Sequence, residues 1–326
     1  MTLLADGGPL PPFTPAALFT EAEPFSLATS VVVVAAVAYG LGVAHLRRRG
    51  VSWPVGRTVG FGSGLLVIAF ATGSGLEAYD TTLLSTHMVQ HMLLGMVGPI
   101  LLALGAPITL ALRVLTPGPR KALLGVLHSK VAAVLTFPLV SFGLFVASPF
   151  ALYFSGLYRA SLEYPWVHEL VHAHFVIVGC LFFWPLIGID PVPGRMSYPL
   201  RALIAFLSTP FHTVLGLTVM STGNMLGGDW YPSLHLTWAD PAADQNLAGG
   251  ILWAGGEIVA VSMIAAMVFQ WMRASDRESA RIDRALDRAE QAAEAEEAEW
   301  ETPWFAREPA SGRPVGSTGS YEAETH

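Results

Sequence analysis

The chain has 326 residues, of which 52% are hydrophobic and only 13% are charged, and its mean hydropathy is +0.50. Soluble domains carry about 25% charged residues, so this composition excludes a water-soluble globule of this size. The formal net charge of −7 gives no basic surface for nucleic acid. The single cysteine, Cys180, excludes an intramolecular disulfide, a CxxC redox pair and a metal site built from thiolates of this chain alone.

Long apolar stretches dominate the first four fifths of the chain. A helix needs about 20 mainly apolar residues to span a membrane, and seven stretches meet this criterion. The second is diluted by glycines, which let membrane helices pack closely. The sequence therefore predicts an all-α, seven-helix membrane bundle. The predicted spans are residues 27–46, 58–76, 83–104, 131–151, 166–187, 200–221 and 247–272.

The segments outside the spans divide the chain into four predicted parts. Residues 1–26 are Pro-rich and contain no Lys or Arg, so the basic region of a cleaved signal peptide is missing. We expect an external segment there, followed by a membrane domain over residues 27–272. Residues 273–300 alternate in charge and predict a cytoplasmic helix. Residues 301–326 are rich in Pro, Gly and Ser and are predicted to be disordered.

The distribution of basic residues predicts the orientation of the bundle. Short cytoplasmic loops carry an excess of Lys and Arg. The predicted first, third and fifth loops hold ten basic residues, whereas the second, fourth and sixth hold only Arg159. The odd loops should therefore be cytoplasmic, with the N-terminus outside and the C-terminus cytoplasmic. We expect a multi-pass protein of the plasma membrane, in contact with the lipid bilayer.

Six histidines fall within the predicted spans, apart from His45, which lies at a cytoplasmic end beside three arginines. An ionisable group at the centre of a span costs about 2.5–3.5 kcal/mol, so such residues mark candidate functional sites. In the predicted orientation the third and fifth spans begin outside, and five of the histidines lie in their first two turns. The other lies near the middle of the sixth span. These residues are His87, His91, His168, His172, His174 and His212.

Two pairs among these histidines have helical spacing. His87 and His91 are four residues apart, as are His168 and His172, so each pair shares a helix face. Imidazole suits copper, zinc and iron. Both pairs together with His212 therefore predict an outer site for copper, with zinc or haem as alternatives. The competing interpretation is that each histidine forms a hydrogen bond across a helix interface.

Five further residues are possible additions to this site, and one of them is Asp244 in the outer sixth loop. Met88 and Met92 lie beside the first pair, and thioethers are soft ligands that suit Cu⁺, although packing is the other interpretation. Glu257 lies near the middle of the last span, where a neutral structural acid, a metal ligand and part of a proton path all fit. His174 lies about 200° round the helix from His172 and should face away from the site.

Residues 168–172 match the H-E-x-x-H pattern of zinc hydrolases, in which two histidines bind zinc and the glutamate activates water. An intramembrane hydrolase with Glu169 as the base is therefore an alternative, and it needs a third ligand. Asp190 lies at the other end of the same predicted span, too far away. The acids that can reach from the outer sixth loop are Asp229, Asp240 and Asp244.

Three separated motifs, in order along residues 30–272, resemble the multi-span CtaG family of cytochrome c oxidase assembly factors. The first is STHMVQHMLL at residues 85–94, continuing to LGAP at 104–107. The second is FFWPLIGIDP at residues 182–191. The third is DQNLAGGILW at residues 244–253, followed shortly by Glu257.

The resemblance implies a non-enzymatic role in the maturation of haem-copper oxidases, with oxidase subunits as partners and copper handled at the outer face. His87 and His91 carry over from the first motif, and His172 from the fifth span. Asp244 and Glu257 carry over as motif residues of unknown role. Some proteins of this family are joined to copper-resistance membrane domains, which favours copper. A copper transporter remains an alternative, although it would need ligands at inner depth as well.

Overall fold

The computed structural model describes residues 10–22, 26–193 and 196–301. Within these ranges the chain is helical and contains no β-strand. The helices in chain order are α1 (Ala17–Thr20), α2 (Leu27–Arg48), α3 (Val55–Gly73), α4 (Gly75–Asp80), α5 (Leu84–Leu104), α6 (Pro107–Val114), α7 (Pro117–Leu127), α8 (Lys130–Leu135), α9 (Pro138–Tyr153), α10 (Gly156–Glu163), α11 (Pro165–Ile187), α12 (Tyr198–Ser221), α13 (Trp230–Ser233) and α14 (Pro241–Glu301).

The described helices α2, α3, α5, α11, α12 and α14 are each long and apolar enough to cross a membrane. A seventh span results if α9 and α10, which meet at a 70° bend, are taken together. Many large apolar side chains of these helices are exposed, as a lipid-facing surface requires. The chain is a multi-pass membrane protein.

The region predicted as a fourth span over residues 131–151 is divided differently in the structure. The short helix α8 ends at Leu135, and α9 begins at Pro138. Proline lacks an N–H and favours the first turn of a helix, and the preceding Phe137 is extended at φ −62° and ψ 130°. The break therefore follows from Pro138. A second break comes at Ser155, whose hydroxyl accepts from the backbone N–H of Leu157 at 3.2 Å.

Helices α5 and α11 cross closely where both have glycine. A Cβ on Gly179 would lie 2.3 Å from the carbonyl oxygen of Gly95 and 2.7 Å from the ring of Pro99. Small residues permit this approach between membrane helices. Gly95 belongs to a π-helical turn, Leu93–Val97, just before Pro99. Because both helices run in the same direction from this crossing, the first two turns of each lie side by side.

The short helix α4 is held against the N-terminal segment. A Cβ on Gly75 would lie 2.1 Å from the carbonyl oxygen of Ala17, so only glycine fits there. The hydroxyl of Tyr79 donates to the carbonyl oxygen of Pro11 at 2.8 Å. Ser74 accepts from the N–H of Leu76 at 3.2 Å and caps the helix. These contacts fix which side chains α4 turns toward the bundle.

Connections from distant parts of the sequence meet at the same end of the bundle as α4. The indole Nε1–H of Trp230 donates to the carbonyl oxygen of Thr81 at 2.8 Å. Ser85, at the start of α5, donates its backbone N–H and its hydroxyl to Asp244, at the start of α14. The connections that follow α3 and α12 are therefore joined here.

Helix α14 continues through the predicted charged helix of residues 273–300. Its residues up to Phe269 belong to the first compact unit, and a second unit begins at Gln270. The predicted disordered tail lies outside the described residues apart from Glu301. The predicted external segment over residues 1–26 contains α1.

Candidate metal centre

A group of possible metal donors lies where α4 meets the first turns of α11. Glu77 of α4 and His168 and His172 of α11 each have a donor atom within 4.8 Å of the others. The distance from His172 Nδ1 to Glu77 Oε2 is 3.8 Å. Two ligands about 2.1 Å from a tetrahedral ion are about 3.4 Å apart, so small side-chain movements would close this group around a metal. We call Glu77, His168 and His172 the donor group.

Asp80 lies directly beside the donor group and is only 1% exposed. Its Oδ2 is 2.5 Å from His168 Nε2 and 3.6 Å from His172 Nε2. An ionised carboxylate only accepts, so His168 donates from Nε2, and its Nδ1 has no hydrogen-bond partner in the described chain. This is the arrangement by which a carboxylate commonly fixes the tautomer and orientation of a metal-binding histidine.

Several buried nitrogens around the donor group have no hydrogen-bond partner in the described part of the chain. They are Nδ1 of His168, both ring nitrogens of His172 and both ring nitrogens of His87. Leaving a buried polar atom without a partner costs about 1–3 kcal/mol. A metal ion would satisfy several of these atoms at once. The chemistry and the position of the donors therefore fit a metal.

His87 lies next to the donor group but on α5. Its ring centroid is 6.1 Å from that of His168, and it also faces the rings of Tyr153 and Tyr158 at 5.9 and 5.3 Å. The side chain is 2% exposed. The close crossing of α5 and α11 brings His87 to this depth. It is therefore the member of the first predicted histidine pair nearest to His168 and His172.

Glu77 is oriented by α5 as well as by its own helix. Gln90 donates from its side-chain nitrogen to Glu77 Oε2 at 2.7 Å and to the carbonyl oxygen of Ala71 at 2.8 Å. Burial, with the neighbouring charge of Asp80, raises the pKa of Glu77 to about 9. Burial also opposes the ionisation of Asp80, but His168 and His172 hold its pKa below the ordinary range. A cation beside Glu77 would act in the opposite direction and favour its ionised form.

His91 and His212 have other contacts. His91 Nδ1 and the hydroxyl of Tyr153 share a hydrogen bond of 2.7 Å, and the His91 ring lies 4.1 Å from that of Phe175. His212 donates from Nδ1 to the carbonyl oxygen of Ser208 at 3.5 Å. Both are buried, and neither belongs to the donor group.

The possible additional ligands Met88, Met92, His174 and Glu257 are not part of the donor group and have other contacts. Met88 and Met92 are buried in the main hydrophobic cluster. His174 is exposed, and its Nε2 shares a 2.9 Å hydrogen bond with Ser148. Glu257 accepts from the hydroxyl of Thr213 at 2.5 Å.

Sequence reasoning missed Glu77 and Asp80. The candidates were ionisable residues inside the predicted spans, whereas residues 77–80 lie in the predicted second loop. The available signal was an acidic pair three residues apart, which shares a helix face, at the same predicted outer end as the histidines. The third ligand of H-E-x-x-H was expected in the sixth loop. Asp244 of that loop accepts from Ser85, and the acid grouped with the two histidines is Glu77.

Comparison with known proteins bears on the function of this arrangement. The family model described as "Cytochrome c oxidase caa3 assembly factor (Caa3_CtaG)" matches residues 37–274. The chain belongs to the Caa3_CtaG family. Helices α3 to α12, and with them the whole donor group, lie inside the matched region. The resemblance to CtaG assembly factors predicted from three motifs is therefore confirmed.

Three similar proteins come from mycobacteria, and each is described as uncharacterized. Those of Mycobacterium bovis and Mycobacterium tuberculosis are each 44% identical to this Caa3_CtaG chain over 270 residues. That of Mycobacterium leprae is 39% identical over 270 residues. Each match covers 80% of this chain but 41% of the relative, so the chain spans about two fifths of their length. No solved structure matches the chain.

Proposed function

We propose that this chain is a cytochrome c oxidase assembly factor that binds copper through Glu77, His168 and His172 and supplies it to the oxidase. The observation that carries the proposal is the donor group itself, with its bare imidazole nitrogens buried beside Asp80. Membership of the Caa3_CtaG family gives the context of oxidase assembly. On this proposal the ion is cargo, and oxidase subunits are the partners that receive it.

The proposed position of the copper site is the outer face of the plasma membrane. The excess of basic residues in the odd loops supports an external N-terminus and a cytoplasmic C-terminus. Under this orientation α4 and the first turns of α11 are external. His87 is the proposed fourth ligand because its ring nitrogens, which have no hydrogen-bond partner in the described chain, lie beside His168. His91 and His212 stay candidates for copper contacts closer to the middle of the membrane.

A zinc hydrolase is a second candidate, favoured by one observation. Glu77 supplies the third donor that the H-E-x-x-H pattern at residues 168–172 requires, and two histidines with a glutamate form a known catalytic zinc set. Glu169 is half-buried and close enough to raise the pKa of Glu77. In this candidate Glu169 would take a proton from a metal-bound water.

The copper proposal is tested by His172→Ala in cells that depend on the protein. We expect normal insertion in the membrane, deficient oxidase activity and partial rescue by added copper, because loss of one imidazole weakens metal binding by more than about tenfold. Copper retained by the purified protein should fall in parallel. The matched control is His174→Ala, two residues away on the same helix, whose side chain is exposed and contacts Ser148. It should behave as wild type.

The Glu169→Gln variant separates the two candidates. It keeps the size of the side chain but removes the base, so a zinc hydrolase should lose its function while an assembly factor keeps it. Full oxidase assembly in His172→Ala cells without added copper would contradict the copper proposal. Loss of function in Glu169→Gln cells with unchanged copper content would favour the hydrolase instead.

A further inference from the structure

The donor group contains hard as well as intermediate ligands. Its atoms are one carboxylate oxygen and imidazole nitrogens. Thioethers and thiolates select Cu⁺, whereas imidazole and carboxylate suit divalent ions. The two methionines beside the first histidine pair, Met88 and Met92, are packed in the hydrophobic cluster with apolar neighbours. The chemistry of the ligands therefore favours one oxidation state of the proposed cargo.

We infer that the donor group takes copper as Cu²⁺, with Glu77 as the ligand that distinguishes it from Cu⁺. This inference rests on the proposed copper function and adds the oxidation state to it. Among the divalent first-row ions, Cu²⁺ is bound most tightly by a mixed set of imidazole and carboxylate ligands. Zn²⁺ should therefore bind more weakly than Cu²⁺.

Access to the donor group also begins at a carboxylate. The Glu77 side chain is 22% exposed, while those of His168, His172 and Asp80 are 7%, 6% and 1% exposed. Glu169, which is half-buried, adds a further carboxyl group near Glu77. An ion that arrives from water therefore meets oxygen ligands first, and these attract hydrated divalent cations.

The experiment compares both oxidation states on the full-length protein purified in detergent. Cu²⁺ affinity is measured by competition with glycine, and the bound ion is followed by electron paramagnetic resonance. Cu⁺ affinity is measured without oxygen by competition with a coloured Cu⁺ chelator. The variants are Glu77→Gln, His172→Ala and the matched control Glu257→Gln, a carboxylate that contacts Thr213 in the membrane. Thermal unfolding shows that each variant is folded.

We expect one Cu²⁺ per chain, with the spectrum of nitrogen and oxygen ligands. Glu77→Gln should weaken Cu²⁺ binding by more than about tenfold and Cu⁺ binding by less than about threefold, because only the hard ligand is lost. Glu257→Gln should change neither. If Glu77→Gln does not fold, Glu77→Asp replaces it, and the shorter carboxylate should weaken Cu²⁺ selectively as well.

Two failures are distinguishable. If Cu⁺ binds and depends on His172, but Glu77 variants leave Cu²⁺ affinity within about twofold, the inferred oxidation state is wrong and the copper function stands. If neither ion binds, or if His172→Ala affects neither, the proposed function itself fails. Tighter binding of Zn²⁺ than of Cu²⁺ would overturn the inference and favour the zinc hydrolase.

Discussion

Two buried aspartates at different ends of the bundle have opposite surroundings. Asp190, which follows α11, is 5% exposed and accepts from the backbone N–H groups of Ile108 and Thr109 at 3.2 and 2.7 Å. It also accepts from the Thr109 hydroxyl at 2.5 Å and from the indole of Trp184 at 2.9 Å. Asp80 is 1% exposed and contacts His168 Nε2, but five other nitrogens of the imidazoles around it have no hydrogen-bond partner in the described chain.

The difference distinguishes a structural polar site from the proposed binding site. Around Asp190 the chain itself supplies every donor, and the carboxylate ties the start of α6 to the end of α11. Around Asp80 the hydrogen bonds are incomplete, although buried polar groups are almost always paired in proteins. An incomplete set of buried partners indicates a place for a ligand, whereas a complete set indicates a role in folding.

The largest expected effect is the loss of stability on replacing Asp190. Asp190→Ala leaves the amide of Thr109 and the indole of Trp184 without their acceptor, and each buried donor left unpaired costs about 1–3 kcal/mol. We expect a clear fall in the midpoint of thermal unfolding of the purified protein. The folded fraction should keep its copper affinity. An unchanged midpoint would contradict a structural role for Asp190.

Gly179→Ala should lower the stability of the protein and its affinity for copper together. Its Cβ would meet the carbonyl oxygen of Gly95 at 2.3 Å, so α5 and α11 must separate. Overpacking of this kind costs about 1–3 kcal/mol. Because the crossing places His87 beside His168, we expect lower thermal stability and weaker copper binding in the same protein. The control is Gly143→Ala, where a Cβ has nothing within 4 Å. Reduced stability with unchanged copper affinity would show that the crossing does not position the site.

The smallest effect on stability is expected at the Asp80 end. Asp80→Asn keeps the shape of the side chain but no longer fixes the tautomer of His168, and loss of such a carboxylate weakens metal binding about 10–100-fold. The midpoint of unfolding without metal should change little. Isothermal titration with Cu²⁺ would measure the affinity. Equal Cu²⁺ affinities of Asp80→Asn and wild type would show that Asp80 does not support metal binding.

The sequence alone predicts the membrane class, the family and the histidines at one end of the bundle, because hydropathy and i, i+4 spacing are local properties. It did not reveal which histidines meet. His91 pairs with Phe175, whereas His87 approaches His168, and this register follows from the contact of Gly95 with Gly179. Such a contact depends on two distant segments and leaves no periodic pattern.

The acids of α4 were missed for a related reason. Glu77 and Asp80 look like ordinary loop residues until the N-terminal segment packs on Gly75 and Tyr79 and turns the acids inward. Burial gives them their chemical character, and burial here depends on tertiary contacts. The fourth span shows the opposite case, since Pro138 is a local signal that the apolar run over residues 131–151 obscured.

The separation of the donors along the chain has a mechanical consequence. Asp80 and His168 are 88 residues apart in sequence, and α5 and the bent pair α9 and α10 lie between them along the chain. An ion held by Glu77 and the two histidines would act as a cross-link that closes this long loop, and closing long loops restricts the unfolded chain most. Loading would then tighten α4 against α11, and release of the ion to a partner would loosen them. By linkage, a partner that favours the loosened arrangement would promote delivery without touching the metal.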